Sequence, residues 1–319
     1  MTPLERALEI ARAAVRRASQ VCLGVLAEAP ATPDAMAKLG KEPVTIADYG
    51  SQAVLLEAVA RMFPDHGVVA EEGAQHLRDN AGEDGAAQLV RLVGAALNKP
   101  VTLDDVTRWI DHPGGDGDLT WVIDPIDGTK GFLRRDQFAI AAGLLRDGEV
   151  VGGVLGCPHF AGGILYWAGR GLGAWAERLH GGNARAVRVS ETAVSEARML
   201  GSVESAHGDP ALVTAVVERA GMAGGMVRID SQVKYGAVAD GQAEVYLRPR
   251  NRPDYRERIW DHAAGVAVVT EAGGQVTDLD GRALDFSLGA SLEDNRGVIA
   301  TNGRIHGAVL EALGVVEAE

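Results

Sequence analysis

The chain has 319 residues, 46% hydrophobic and 24% charged, with a formal net charge of −13 at pH 7. That length supports one large or two medium domains, and that acidity excludes a sequence-independent nucleic-acid binder, which needs a basic footprint. The two cysteines, Cys22 and Cys157, form no spaced cluster, so neither a disulfide framework nor a zinc site is expected.

Leu4, Leu8, Ala11, Val15, Ala18, Cys22 and Val25 recur every three or four positions, which predicts an amphipathic helix over residues 3–27. Its interleaved charges are unlike a signal peptide. No segment reaches the roughly 18 uninterrupted apolar residues of a membrane span, so no membrane association is expected and the predicted compartment is the cytoplasm. After a polar loop to Pro43, a second helix is expected over 46–62, ended by Phe63-Pro64, with a short strand over 67–71. Ala86–Leu97 reads as helical, and Thr102-Leu103-Asp104-Asp105 as a capping box opening a helix to Ile110.

A Pro-Gly-Gly-Asp-Gly-Asp loop at 113–118 leads into strands expected at 119–124, 137–145 and 149–156, with Asp147-Gly148 as a hairpin turn. A further hairpin, 164–168 with 174–176, turns at Gly169-Arg170-Gly171. Beyond residue 185 strands alternate with helices: strands at 198–203, 226–230, 244–248, 274–278 and 297–301, helices at 209–220, 232–240, 260–272 and 303–313. Met222, Met226 and Val227 read as core filler. The pattern divides into an α+β half, residues 1–170, and an α/β half, residues 171–319, with the boundary somewhere in 150–185.

The chemistry concentrates in carboxylates at the ends of these elements: Asp48, Glu71-Glu72, Asp124 with Asp127, and Asp261. Asp48 and Asp261, each taken alone, read first as helix N-caps, and Glu71-Glu72 as a solvated strand end. Asp124-Pro125-Ile126-Asp127 is different, because two acids closing a buried strand repel unless a cation sits between them. Hard oxygen-binding cations, Mg²⁺ above all, suit such a set. The Gly128-Thr129-Lys130 turn that follows offers N–H groups to a phosphate.

Glu71-Glu72, Asp124-Pro125-Ile126-Asp127-Gly128-Thr129 and Trp260-Asp261-His262-Ala263-Ala264-Gly265 occur in the order seen in the lithium-sensitive, magnesium-dependent phosphatases of the inositol monophosphatase and fructose-1,6-bisphosphatase superfamily. The resemblance runs from Val44 to about Ala300. Within that superfamily the chain looks most like the 3′(2′),5′-bisphosphate nucleotidases, through Gly128–Arg134, Asp230–Gly236, Val245–Arg248 and Arg258–His262. It implies an α/β fold, a layered αβαβα sandwich, with most metal ligands in the first half and Asp261 and the nucleotide-binding residues in the second.

Carried over, Glu71, Asp124, Asp127, Asp261 and the Ile126 carbonyl would bind two Mg²⁺ ions, with a third, weaker one in the family. Asp48 and Thr129 would orient and deprotonate the attacking water. Gly128 and Thr129 would touch the departing phosphate. Ser231 and Lys234 would hold a phosphate of the substrate, Arg248 its base or ribose, and His207 would line the adenine pocket. The implied reaction is hydrolysis of the 3′-phosphate of adenosine 3′,5′-bisphosphate to AMP and phosphate, with a small-molecule nucleotide as the partner. Alternatives left open are an inositol or sugar-phosphate phosphatase, and a catalytically inactive nucleotide sensor. A dehalogenase-type phosphatase fits poorly, since two residues rather than one separate the acids. Oligomeric state is not legible.

Overall fold

A computed structural model of the chain describes residues 1–29, 42–80, 82–203, 209–250, 252 and 254–318. The first helix, α1 (Pro3–Glu28), starts at a capping box in which Thr2 and Glu5 bond each other's main chain. Its predicted apolar stripe is buried. The second, α2 (Glu42–Met62), begins earlier than its periodicity suggested. Asp48 therefore lies within the helix, and the N-cap reading of that residue fails.

Both helices cover one face of a seven-stranded sheet. Its strands are β1 (Gly67–Ala70), β2 (Thr120–Asp127), β3 (Ala139–Arg146), β4 (Glu149–Cys157), β5 (Ile164–Gly169), β6 (Gly173–Arg178) and β7 (Arg185–Val187), adjacent in that order. Only β1 and β2 pair in parallel; the later strands are antiparallel neighbours. The predicted turn at Asp147-Gly148 has both residues at positive φ, 53° and 76°, the left-handed pair that a two-residue hairpin requires. Between β1 and β2 lie α3 (Ala74–Asn80), α4 (Glu83–Leu97) and α5 (Leu103–Ile110), the last opened by the predicted Thr102–Asp105 box.

A five-stranded sheet follows, with β8 (Met199–Gly201), β9 (Met226–Arg228), β10 (Val245–Arg248), β11 (Gln275–Thr277) and β12 (Val298–Thr301) in the order β11-β12-β10-β8-β9. Two helices, α8 (Val233–Ala239) and α9 (Ala263–Glu271), are sandwiched between the sheets, where Tyr235, Val238, Ala264 and Val268 share a core with Ala141 and Tyr166 on one side and Tyr246 and Ala300 on the other. The approach of α9 is close: a Cβ on Gly143 would come within 2.6 Å of Ala263. The outer face of the second sheet is covered by α7 (Pro210–Arg219) and α10 (His306–Ala318). The layers thus run α-β-α-β-α, the sandwich the resemblance implied. No helix among the described residues is long and apolar enough to cross a membrane.

Two departures bear on the site. The strand expected to end at Asp124 continues to Asp127, and the helix expected from residue 260 opens as a single 3₁₀ turn, Ile259–Asp261, before α9. Asp261 is therefore not the N-cap of α9; His262 is.

Candidate active site

The site forms where β1 and β2 end. In a regular strand residues three apart point to opposite faces, so Asp124 and Asp127 would diverge. Here Asp124 pairs with Ala141 and Asp127 with Ala139, three steps on one strand against two on the other. That bulge turns both carboxylates toward one cavity. A short helix, α6 (Thr129–Leu133), follows directly, with Gly128 at its N-cap. Gly128 stands at φ 90°, and a Cβ there would approach the Ser231 Cβ to 2.8 Å.

Around this bend, α2 presents Asp48, Ser51 and Gln52 from adjacent turns. Ser51 Oγ donates to the Pro125 carbonyl at 2.8 Å, in the middle of the bulge. The Gln52 amide donates to the Glu72 carbonyl at 2.6 Å and accepts from the Glu72 N–H at 3.0 Å. From the other half of the chain, the Gln232 N–H donates to Asp127 Oδ2 at 2.5 Å, and its side chain donates to the Trp260 carbonyl at 2.9 Å. Asp261 is next to that carbonyl.

The electrostatics are those of uncompensated negative charge. Burial, with the charges of Asp261 and Glu72, pushes Glu71 up to about 7, partly offset by a hydrogen bond with Asp124. Burial and Asp261 raise Asp127 to about 6 against the pull of Arg248 and Lys234. Asp124 is raised well above the usual carboxylate range by burial, Glu71 and Asp127, and Asp48 by burial, Glu72 and Glu71. Converging oxygen donors with raised proton affinity fit a hard divalent cation, which would take the protons' place.

One cavity of about 410 Å³ is lined by Glu71, Asp124, Ile126, Asp127 and Asp261. Gly128, Thr129, Ser231, Lys234 and Arg248 line it too. Asp48 does not: at 8% exposure it stands behind the wall, close enough for its charge to act on Asp124. His207 lies outside the described residues. Lys234 is buried, its ammonium donating to the Ile229 carbonyl at 3.2 Å and lying 5.1 Å over the Tyr246 ring. Burial lowers it to about 8, so it remains largely protonated at neutral pH.

Arg248 is bound more tightly to the acidic cluster than the sequence suggested. Its guanidinium is 2.9 Å from both Asp261 and Glu257. Glu257 accepts in turn from His262 Nε2 at 3.2 Å, and His262 Nδ1 meets the Tyr235 hydroxyl at 2.6 Å. Glu257, Asp261 and His262 are near enough to share an ion. Arg248 already answers their charge.

Met226 is also misplaced by the sequence reading. Far from filling the core, it is 41% exposed and lines the cavity with Leu200, Pro210 and Val213, apolar side chains interleaved with Asp209, Thr214 and Arg228. Met222 is buried as expected. Ser51, Gln52, Gln232 and Glu257, which the sequence did not single out, are buried polar groups; Ser51 and Gln52 lie within four residues of Asp48, Glu257 within four of Asp261, and Gln232 beside Ser231. The i, i+3, i+4 spacing of Asp48, Ser51 and Gln52 was the available signal.

The inositol monophosphatase family pattern matches residues 4–317. A rice 3′(2′),5′-bisphosphate nucleotidase is 39% identical, covering 98% of this chain and 94% of that protein. The probable 3′(2′),5′-bisphosphate nucleotidase 4 of Arabidopsis thaliana is 37% identical, with 98% and 95% covered. Among solved structures, an inositol monophosphatase from Anabaena superposes with a TM-score of 0.67 at 25% identity, covering 98% of this chain and 97% of that one.

Proposed function

The chain belongs to the inositol monophosphatase family, and from that premise we propose that it is a Mg²⁺-dependent, lithium-sensitive 3′(2′),5′-bisphosphate nucleotidase acting in the cytoplasm on adenosine 3′,5′-bisphosphate. The observation that carries this reading is that one cavity brings together the carboxylates, the cationic side chains of Lys234 and Arg248, and the apolar side chains of Leu200, Pro210, Val213 and Met226.

Glu71, Asp124, Asp127, Asp261 and the Ile126 carbonyl would hold the ions. Bound there, they lower the pKa of water and neutralise charge on the leaving oxygen. Thr129, on the cavity wall, fixes the attacking water's line of approach, and Asp48, which stands behind that wall, receives the water's proton through the Thr129 hydroxyl. Gly128 and Thr129 meet the departing phosphate. Ser231 and Lys234 hold the remaining phosphate, which Lys234 matches as a buried point charge. Arg248 orients the ribose side while balancing Asp261. The apolar side chains of Leu200, Pro210, Val213 and Met226 suit a flat base better than a hydroxylated ring, which favours the nucleotide over an inositol ester. Relatives named as bisphosphate nucleotidases support the same choice.

The test is phosphate release from adenosine 3′,5′-bisphosphate by the wild type and Asp127→Asn. Loss of roughly three orders of magnitude in kcat, with the metal-free variant melting no lower than the metal-free wild type, is expected from removing a group that acts at the transition state. Equal turnover by the two proteins would refute the assignment.

A further inference from the structure

Two buried glutamines perform the same task on opposite sides of the acidic cluster. The Gln52 side chain donates from Nε2 to the Glu72 carbonyl and accepts at Oε1 from the Glu72 N–H, at 2.6 and 3.0 Å. The Gln232 side chain donates from Nε2 to the Trp260 carbonyl and accepts at Oε1 from the Gly265 N–H, at 2.9 and 3.3 Å. Both are almost wholly inaccessible. Each grips main chain beside an acid: Glu71 precedes Glu72, and Asp261 follows Trp260. Gln232 adds its own N–H to Asp127.

We propose that Gln52 and Gln232 are positioning residues for cation binding, two amide straps that hold the segments bearing Glu71 and Asp261 in convergence. This rests on the metal-site reading above and extends it to residues that touch neither ion nor substrate. The chemistry of the side chain is the argument. A primary amide carries a donor and an acceptor in one plane, so it can hold an N–H and a carbonyl together. A carboxylate at either position would lose the donor and add negative charge to a cluster that already has too much. A lysine or arginine would lose the acceptor and compete with the cation. Serine, as used at position 51, satisfies only one main-chain group. A primary amide supplies both bonds without charge, and Gln has the reach that Asn, one methylene shorter, lacks.

The straps also answer an energetic need. Carboxylates that repel one another would splay apart in the absence of a cation. Binding would then include the cost of ordering two separate segments. Groups that orient ligands in this way are commonly worth about 10–100-fold in metal affinity.

Calorimetric titration of Mg²⁺ into the substrate-free wild type, Gln52→Met and Gln232→Met reads this directly. Melting of each protein with and without Mg²⁺ accompanies it. The expected result is affinity weakened about 10-fold or more in each variant, with a smaller Mg²⁺-induced rise in melting temperature. Wild-type affinity in both variants, or melting lowered equally with and without Mg²⁺, would show that the glutamines serve the fold alone. If Gln52→Met does not fold, Gln52→Asn, which keeps an uncharged amide but withdraws it from the Glu72 main chain by one methylene, carries the same prediction. A wild type that takes up no Mg²⁺ would overturn the metal-site reading and the straps with it.

Discussion

Lys234 concentrates the substrate question in one side chain. Its ammonium is buried, and burial is tolerable only where anions are near. Asp127 supplies one such charge, and a substrate phosphate would supply another. Lys234→Ala should therefore raise KM for adenosine 3′,5′-bisphosphate by about 100-fold, as expected for a charge-assisted contact, and should affect a simple sugar monophosphate far less. Equal losses on both substrates would remove Lys234 as the residue that recognises a second phosphate. The identities of such residues were legible because they sit in motifs. Their surroundings were not: Arg248, expected at the base or ribose, bridges Glu257 and Asp261. Met226 reads as core because its neighbours are apolar, and only the packing shows that the cavity begins there.

At the level of elements, the bend after β2 decides the geometry. The bulge aims both aspartates inward, and Gly128 lets the chain turn into α6 against Ser231. Gly128→Ala meets both a positive φ and a 2.8 Å approach to Ser231. It should cost about 1–2 kcal/mol of stability and displace Ser231, so KM should rise along with the fall in melting temperature. A variant that melts and turns over like the wild type would show that neither constraint matters. Long periodic elements were legible, α1 nearly to the residue, because burial along one stripe leaves a mark in composition. The three-residue β7 and the seven-residue α3 were not, since neither is long enough to establish a period. The extension of β2 was hidden by Pro125, which usually argues against strand and is tolerated here at a bulge.

Over the whole molecule, the five-layer sandwich brings acids from both halves of the chain to one place, and the consequence is a pH-dependent stability. Without metal, Glu71 and Asp127 bind protons more tightly in the folded protein, at about 7 and about 6, than as unfolded carboxyls, which titrate near 4. Their contribution to stability is complete below about pH 4 and is lost as pH rises to about 7. In EDTA the wild type should lose stability across that window relative to Asp127→Asn, and the stabilisation by Mg²⁺ should grow across it as the cation replaces the protons. A Mg²⁺ effect independent of pH would mean that these carboxylates do not hold the ion. The global acidity of −13 gave no hint of an anionic substrate; local cations and metal ions override it because contact-range Coulomb energies exceed the screened average.

The central claim is a nucleotide-selective phosphatase, and the most direct measurement is phosphate release from adenosine 3′,5′-bisphosphate and inositol 1-phosphate side by side, in Mg²⁺ and then with millimolar lithium added. The account predicts rapid, lithium-inhibited release from the nucleotide and little from the inositol ester. Preference for the inositol ester would contradict the nucleotide assignment while keeping the metal site, and release from neither would contradict both.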